Sequence, residues 1–228
     1  MKKAYSLKNS YVSVGGSFGG SQNYYKGLKK PFAKGKELGG CGVVAMSDVV
    51  SYLSGSTSFD APSDYMKIFD DNSKKILFLP TRFGMTFVHM VLGIRQLIKK
   101  KHLRFRCTWT FNQRKLIPHL KKMLGDDIPV ILCIPRIWGW KKAKRSLAMY
   151  DPETLKEACR VHGHFVVATG IILKDKKDPD HDVDRAFIEV SSWGRRYLIN
   201  VNEFASFIKR HPASRLGYML TITRKPAT

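Results

Sequence analysis

The sequence predicts an α+β fold, with helices gathered in the first half and an antiparallel sheet built mainly from the second. Three observations carry this. Val43, Met46, Val50 and Leu53 recur three or four apart, as do Phe87, Val91, Ile94 and Ile98, so each set forms one stripe of a helix. At 102–110 the period drops to two, with Leu103, Phe105, Cys107 and Trp109 alternating with Arg104, Arg106 and Thr108. The apolar runs at 130–134 and 164–173 are short, flanked by turn residues, and of strand length. Helices first and strands later, without βαβ alternation, exclude a parallel sheet.

Taken in order, residues 1–38 carry Gly15-Gly16 and Gly19-Gly20 turn signals among Ser and Tyr, and are expected to be an irregular leading segment. Gly39-Gly40-Cys41-Gly42 opens the first helix and Gly55 is placed to end it. A second helix is expected over 84–101, followed by the strand with one basic face. Asn112 is a suitable N-cap for a helix carrying Leu116, Leu120 and Leu124, with Pro118 kinking it or delaying its start. Pro129 introduces a strand buried on both faces. Asp151-Pro152-Glu153 reads as an N-cap, a proline at the first helical position and an early acid, predicting a short helix to Cys159. Strands follow over 164–173, 186–191 and 197–200, then a helix over 202–209 and a last strand over 216–223, with a polar loop at 175–185. No repeat or linker interrupts the 228 residues, so they are expected to form one domain, mainly helical over 39–125 and mainly sheet over 126–228.

Composition narrows the function classes. Hydrophobic residues make up 43% and charged ones 25%, enough apolar material to exclude a disordered chain. No apolar run is long enough to span a bilayer, and no apolar stretch follows the two N-terminal lysines, so a cytoplasmic location without a secretory signal is expected. Four cysteines without CxxC spacing (Cys41, Cys107, Cys133, Cys159) argue against a disulfide scaffold and leave room for one reactive thiol. The net charge of +22 is uneven: thirteen Lys or Arg and no acid lie within 72–125. Residues 72–150 together hold eighteen bases and two acids, a net +16. Such a region attracts an acidic polypeptide or another polyanion, nucleic acid included, although no nucleic-acid motif accompanies it. Lys141-Lys142-Ala143-Lys144-Arg145, after Trp138 and Trp140, is read as an exposed loop packing two tryptophans.

Cys41 stands at a helix start beside Gly40 and Gly42. There the N–H groups of the first turn and the helix dipole favour a thiolate, and the glycines admit a substrate carbonyl to the backbone. A thiol nucleophile needs an imidazole and a group to orient it. His164, preceded by Gly163 and opening an apolar strand, is the candidate base. Cys107 and Cys133 lie in apolar patterns and read as core. Cys159, His162 and His164 have ligand-type side chains at close spacing, but a four-ligand zinc set would be completed only if Cys41 joined them, and neither a metal nor a cofactor is expected.

A cysteine at a helix start, His164-Phe165-Val166-Val167 more than a hundred residues later, and a strand ending in Ser192-Trp193-Gly194 together resemble papain-like cysteine peptidases. The closest likeness is to the bacterial branch that removes double-glycine leader peptides. The strand at 130–132 and Asn202-Glu203-Phe204 fit the same order. The resemblance spans about 39–208 and implies a helical lobe, begun by the nucleophile helix, packed on an antiparallel sheet lobe. It also implies acyl chemistry on a peptide or other acyl substrate, with Cys41 as nucleophile, His164 as base, and Gly40, Gly42, Gly163 and Trp193 around the substrate. Two positions depart from the family. The residue that orients the imidazole, an Asn or Asp there, is Ser191 here, with Glu189 as an alternative on the same strand face. The Gln that completes the oxyanion hole six residues before the nucleophile is replaced by Gly35, leaving Gln22 or Asn23 of the leading segment as substitutes. The same departures fit an alternative: a papain-like domain impaired in catalysis and acting as a basic binding module.

Overall fold

The computed structural model describes residues 2–29, 32–76, 85–110, 116–135, 146–173, 186–210 and 218–225. Among them, six helices pack against a nine-stranded sheet whose neighbouring strands all pair antiparallel, so the α+β expectation holds. No helix among the described residues is long and apolar enough to cross a membrane. The loops at 136–145 and 175–185, with Trp138, Trp140 and their lysines, lie outside the described residues, as does Asn112.

The leading segment is more regular than expected. It holds β1 (Lys2–Ser6), the two-residue strands β2 (Ser13–Val14) and β3 (Ser17–Phe18), a 3₁₀ turn (Gln22–Tyr25) and α1 (Ala33–Gly39). β1 becomes a strand through its partner: it pairs with the far half of the long apolar strand described below, Lys2 opposite Leu173 and Ser6 opposite Gly170. Nothing in its own five residues alternates strongly enough to announce this.

α2 (Cys41–Leu53) is buried from Cys41 through Tyr52 on every face, as suits a helix at the centre of a fold. Gly55, at φ +78°, ends it. After the two-residue β4 (Ser58–Phe59), α3 (Pro62–Lys75) starts with proline at its first position and Asp64 in its first turn, a helix signal the sequence reading passed over. α4 (Phe87–Lys100) is capped by Thr86 and buries Met90, Val91, Ile94, Leu97 and Ile98. α5 (Leu116–Gly125) starts late enough for Pro118 to sit in its first turn, where no intrahelical N–H is lost.

The sheet comprises β1 with β5 (Phe105–Thr110), β6 (Val130–Ile134), β7 (Leu147–Tyr150), β8 (Glu157–Val161), β9 (His164–Leu173), β10 (Ala186–Ser192), β11 (Arg195–Asn200) and β12 (Met219–Arg224). Their order is β5-β12-β6-β9-β10-β11-β7-β8, with β6 and β1 sharing one side of β9. α6 (Val201–Arg210) covers the β7, β10 and β11 region and buries Val201, Phe204, Phe207 and Ile208. Each of those phenylalanines contributes roughly 1.5–3 kcal/mol by leaving water.

The helix expected after Asp151 is absent. The Asp151 carboxylate instead accepts the Glu153 and Thr154 amides at 3.0 and 2.9 Å, closing a turn that feeds β8. An N-cap signature and an Asx turn begin with the same residues, and only the pairing of β8 with β7 decides between them.

The α1–α2 junction explains Gly40 sterically. A Cβ there would lie 2.3 Å from the Lys36 carbonyl oxygen and 3.0 Å from the Phe69 ring. Gly40→Ala is therefore expected to destabilise the fold by about 1–3 kcal/mol. Gly125→Ala, with nothing within 4 Å of its new methyl, serves as the neutral comparison. Urea midpoints that move equally for the two would show that the junction is not tightly packed.

Candidate active site

α2 and β9 bring Cys41 and His164 to one small cavity, together with Gly20, Gln22, Ser192 and Trp193. Cys41 is the first residue of α2, and the Gly40 N-cap offers no side chain to its orphan amides. Burial raises the Cys41 thiol pKa, and the nearby backbone N–H groups of Phe165 and of the first turn of α2 pull it the other way. Burial outweighs them and leaves the thiol above its ordinary value, so Cys41 rests protonated at neutral pH.

His164 begins β9 opposite Ile134 of β6, just after the Gly163 turn at φ +60°. Its Nε2 lies 2.7 Å from Ser192 Oγ, and its ring stacks on Trp193 with centroids 4.5 Å apart and planes 24° apart. Trp193 reaches this position from a left-handed backbone (φ +50°) at the β10–β11 turn. Burial pushes the imidazole pKa down to about 4, and no carboxylate opposes the shift. The resting pair is thus thiol and neutral imidazole. Both residues line the cavity, but no hydrogen bond joins Sγ to the ring among the described residues.

Ser191, expected to orient the imidazole, does not. It lines the same cavity, but its hydroxyl donates to the Phe18 carbonyl at 2.9 Å rather than meeting the ring. Of the two adjacent serines, the one that meets His164 is Ser192. Glu189 does not orient it either: its Oε1 accepts the Thr169 hydroxyl at 2.9 Å. Gly42 faces protein rather than an open cleft, since a Cβ there would lie 2.8 Å from Met90 Sδ and 3.0 Å from Met85 Sδ. Cys107 and Cys133 are held up to about 12 by burial, as their apolar patterns suggested. No group of three metal-ligating side chains occurs among the described residues, Cys159 and His162 included.

The leading segment roofs the site. Gly19 and Gly20 pass so close beneath it that a Cβ on Gly19 would fall 2.1 Å from Ser191 Oγ, and one on Gly20 2.0 Å from the Tyr65 ring. Gly20 N–H donates to both oxygens of Asp48 at 3.1 and 3.2 Å. The same carboxylate accepts Tyr11 at 3.1 Å and Tyr65 at 2.5 Å. Farther on, the Gly194 amide donates to the Gly20 carbonyl, and Gln22 Nε2 to the Glu37 carbonyl at 2.7 Å. Gln22 therefore reaches the cavity, but its amide nitrogen is already engaged. What remains open is about 10 Å³, room for roughly one water.

Asp48 is the residue that sequence reasoning missed. It is 1% exposed, two turns beyond Cys41, and burial pushes its carboxyl up to about 6 despite its three donors. An acid in the middle of Val43-Val44-Ala45-Met46 and Val49-Val50 was the available signal: a carboxylate that is the only charge on a mainly apolar helix must find partners in the core. Comparison of the chain with family models, curated proteins and solved structures finds no match.

Proposed function

We propose that the protein is a papain-like thiol enzyme acting on an amide or thioester carbonyl of a peptide or other acyl substrate. One observation supports this above the rest. A thiol at a helix N-terminus shares a cavity with an imidazole that is itself hydrogen-bonded through Nε2 and stacked on a tryptophan. With Nε2–H donating to Ser192 Oγ, Nδ1 is the nitrogen able to accept a proton. The Cys41 proton passes to Nδ1 as Sγ bonds to the substrate carbon, and the carbonyl becomes an oxyanion near the first-turn amides. Collapse of the oxyanion expels the leaving group with that proton, and water or a second nucleophile resolves the acyl-enzyme. Because neither partner is charged at rest, proton transfer accompanies attack rather than preceding it. The covered cavity requires the Gly20–Gln22 stretch to lift before a substrate enters.

The test is an acyl adduct. An activated thioester is expected to acylate Cys41, located by peptide mass spectrometry, faster in the wild type than in His164→Gln. Cys159, more exposed than Cys41 and not part of the cavity lining, is the internal comparison. Acylation confined to Cys159, or equal rates in the two proteins, would overturn the reading. The missing Sγ–imidazole hydrogen bond favours a second reading, a papain-like domain without efficient catalysis that binds an acidic partner; it predicts that second result.

A further inference from the structure

A groove larger than the cavity at Cys41 lies away from it, between the C-terminal half of α4 and the outer edge of β5. It encloses about 630 Å³. Arg95, Lys99, His102, Arg104, Arg106 and Lys225 line it, and no carboxylate does. All six side chains are exposed. None of the five lysines and arginines has a carboxylate partner among the described residues. Lys99 at the end of α4 has an internal role in complementing the helix dipole. Arg104, Arg106 and Lys225 have none, and unpaired like charges this close repel one another unless an anion joins them.

We propose that this groove binds the phosphate backbone of single-stranded nucleic acid without reading its bases. Three features choose this occupant over an acidic peptide. First, β5 ends the sheet order, and the Arg104 carbonyl accepts the Lys225 amide on the β12 side, so the groups of Phe105 and Cys107 face outward. A peptide strand would pair with those groups, but Arg95 Nε already occupies the Cys107 carbonyl at 2.9 Å, which blunts the edge. Second, Arg104 and Arg106 lie on one face of β5, about 6.8 Å apart along the strand, a row suited to a polymer charged at every unit. Third, the Phe105 ring is buried and lies under the Arg224 guanidinium, 5.2 Å from its centroid, so it offers no stacking platform and binding is sequence-tolerant. The inference does not depend on the thiol chemistry.

Fluorescence anisotropy of the full chain with a labelled oligothymidylate tests it. Five phosphate contacts predict a slope of about −3.5 in log K against log salt, at about 0.7 per contact. Arg104→Gln with Arg106→Gln should bring the slope to about −2.1 and weaken binding about 25-fold at 0.1 M salt. Lys209→Gln with Arg210→Gln on α6 removes the same charge from an exposed site elsewhere and should cost no more than about twofold by the same reckoning. Should the β5 pair disturb folding, Lys99→Gln with Lys225→Gln makes the same measurement. Equal losses for the groove and α6 pairs would mean diffuse attraction and overturn the assignment. So would competition by polyglutamate of matched charge at equal affinity, which would give the groove to an acidic polypeptide instead.

Discussion

Under the proposed thiol mechanism, Cys41→Ser is expected to lower kcat/KM for an activated acyl substrate by about four to six orders of magnitude, and His164→Ala by a similar amount, because a nucleophile and its base act as a unit. The two serines of the β10 terminus then separate. Ser192→Ala removes the hydroxyl at His164 Nε2, a neutral hydrogen bond worth about 1.4 kcal/mol at most, so a loss of about tenfold is expected. Ser191→Ala frees the Phe18 carbonyl and touches nothing on the imidazole, and should change activity by less than about twofold. Ser192→Asp is more informative still. An anion beside the imidazole would lift its pKa from about 4, and the pH profile of acylation should move with it. A larger loss from Ser191→Ala than from Ser192→Ala would assign the orienting role to the wrong serine here. Full activity in Cys41→Ser would remove the thiol mechanism altogether.

That pair also shows where the sequence could be read and where it could not. Cys41 and His164 are legible because their signals are local: a thiol among glycines at the start of a 3.6-period stripe, and a histidine at the head of an apolar run. The third residue is not local. Which serine meets the histidine depends on how β10 is phased against β9, and that is set by pairing across the sheet rather than by the residues around Trp193. The fold divides the same way. α2, α4, β5, β6 and β9 to β12 carry clear periodicity and lie within a few residues of where the sequence puts them. β1, β7 and β8 are strands only because a neighbour pairs with them, and β8 even carries a helix-like preamble at Asp151-Pro152-Glu153. The roof over the cavity was the least legible feature. Gly19-Gly20 advertised a turn, whereas the close approach to Ser191 and Tyr65 that demands glycine there comes from residues far along the chain.

Two buried groups near the site should pull stability in opposite directions with pH. Asp48 has its carboxyl pushed up from 3.8 to about 6, so between those values the native state holds a proton that the unfolded chain has released. Stability from this group therefore falls as pH rises through that window, by about 3 kcal/mol in order of magnitude. His164 is pushed down from 6.5 to about 4, so over that window the unfolded chain holds the extra proton and stability rises with pH by a similar amount. In the wild type the two contributions offset each other between about pH 4 and 6.5. Asp48→Asn keeps an oxygen for the Gly20 amide and loses the titration, so it should become acid-sensitive, losing about 3 kcal/mol relative to wild type as pH falls from 6.5 to 4. His164→Gln should do the reverse and be relatively more stable at pH 4 than at 6.5. Combining them should restore a flat difference curve. Urea denaturation across this range makes the measurement, and single variants whose curves run parallel to wild type would show that neither group is buried in the ionisation state described. Asp48→Ala is a different case, because it strands Gly20 N–H and Tyr11, leaves Tyr65 only the Val44 carbonyl at 3.2 Å, and should cost about 3–5 kcal/mol at any pH in the range. The contrast between Asn and Ala at this one position separates the cost of the charge from the worth of the hydrogen bonds. It is the hydrogen bonds, not the charge, that hold Gly20 against the cavity shared by Cys41 and His164.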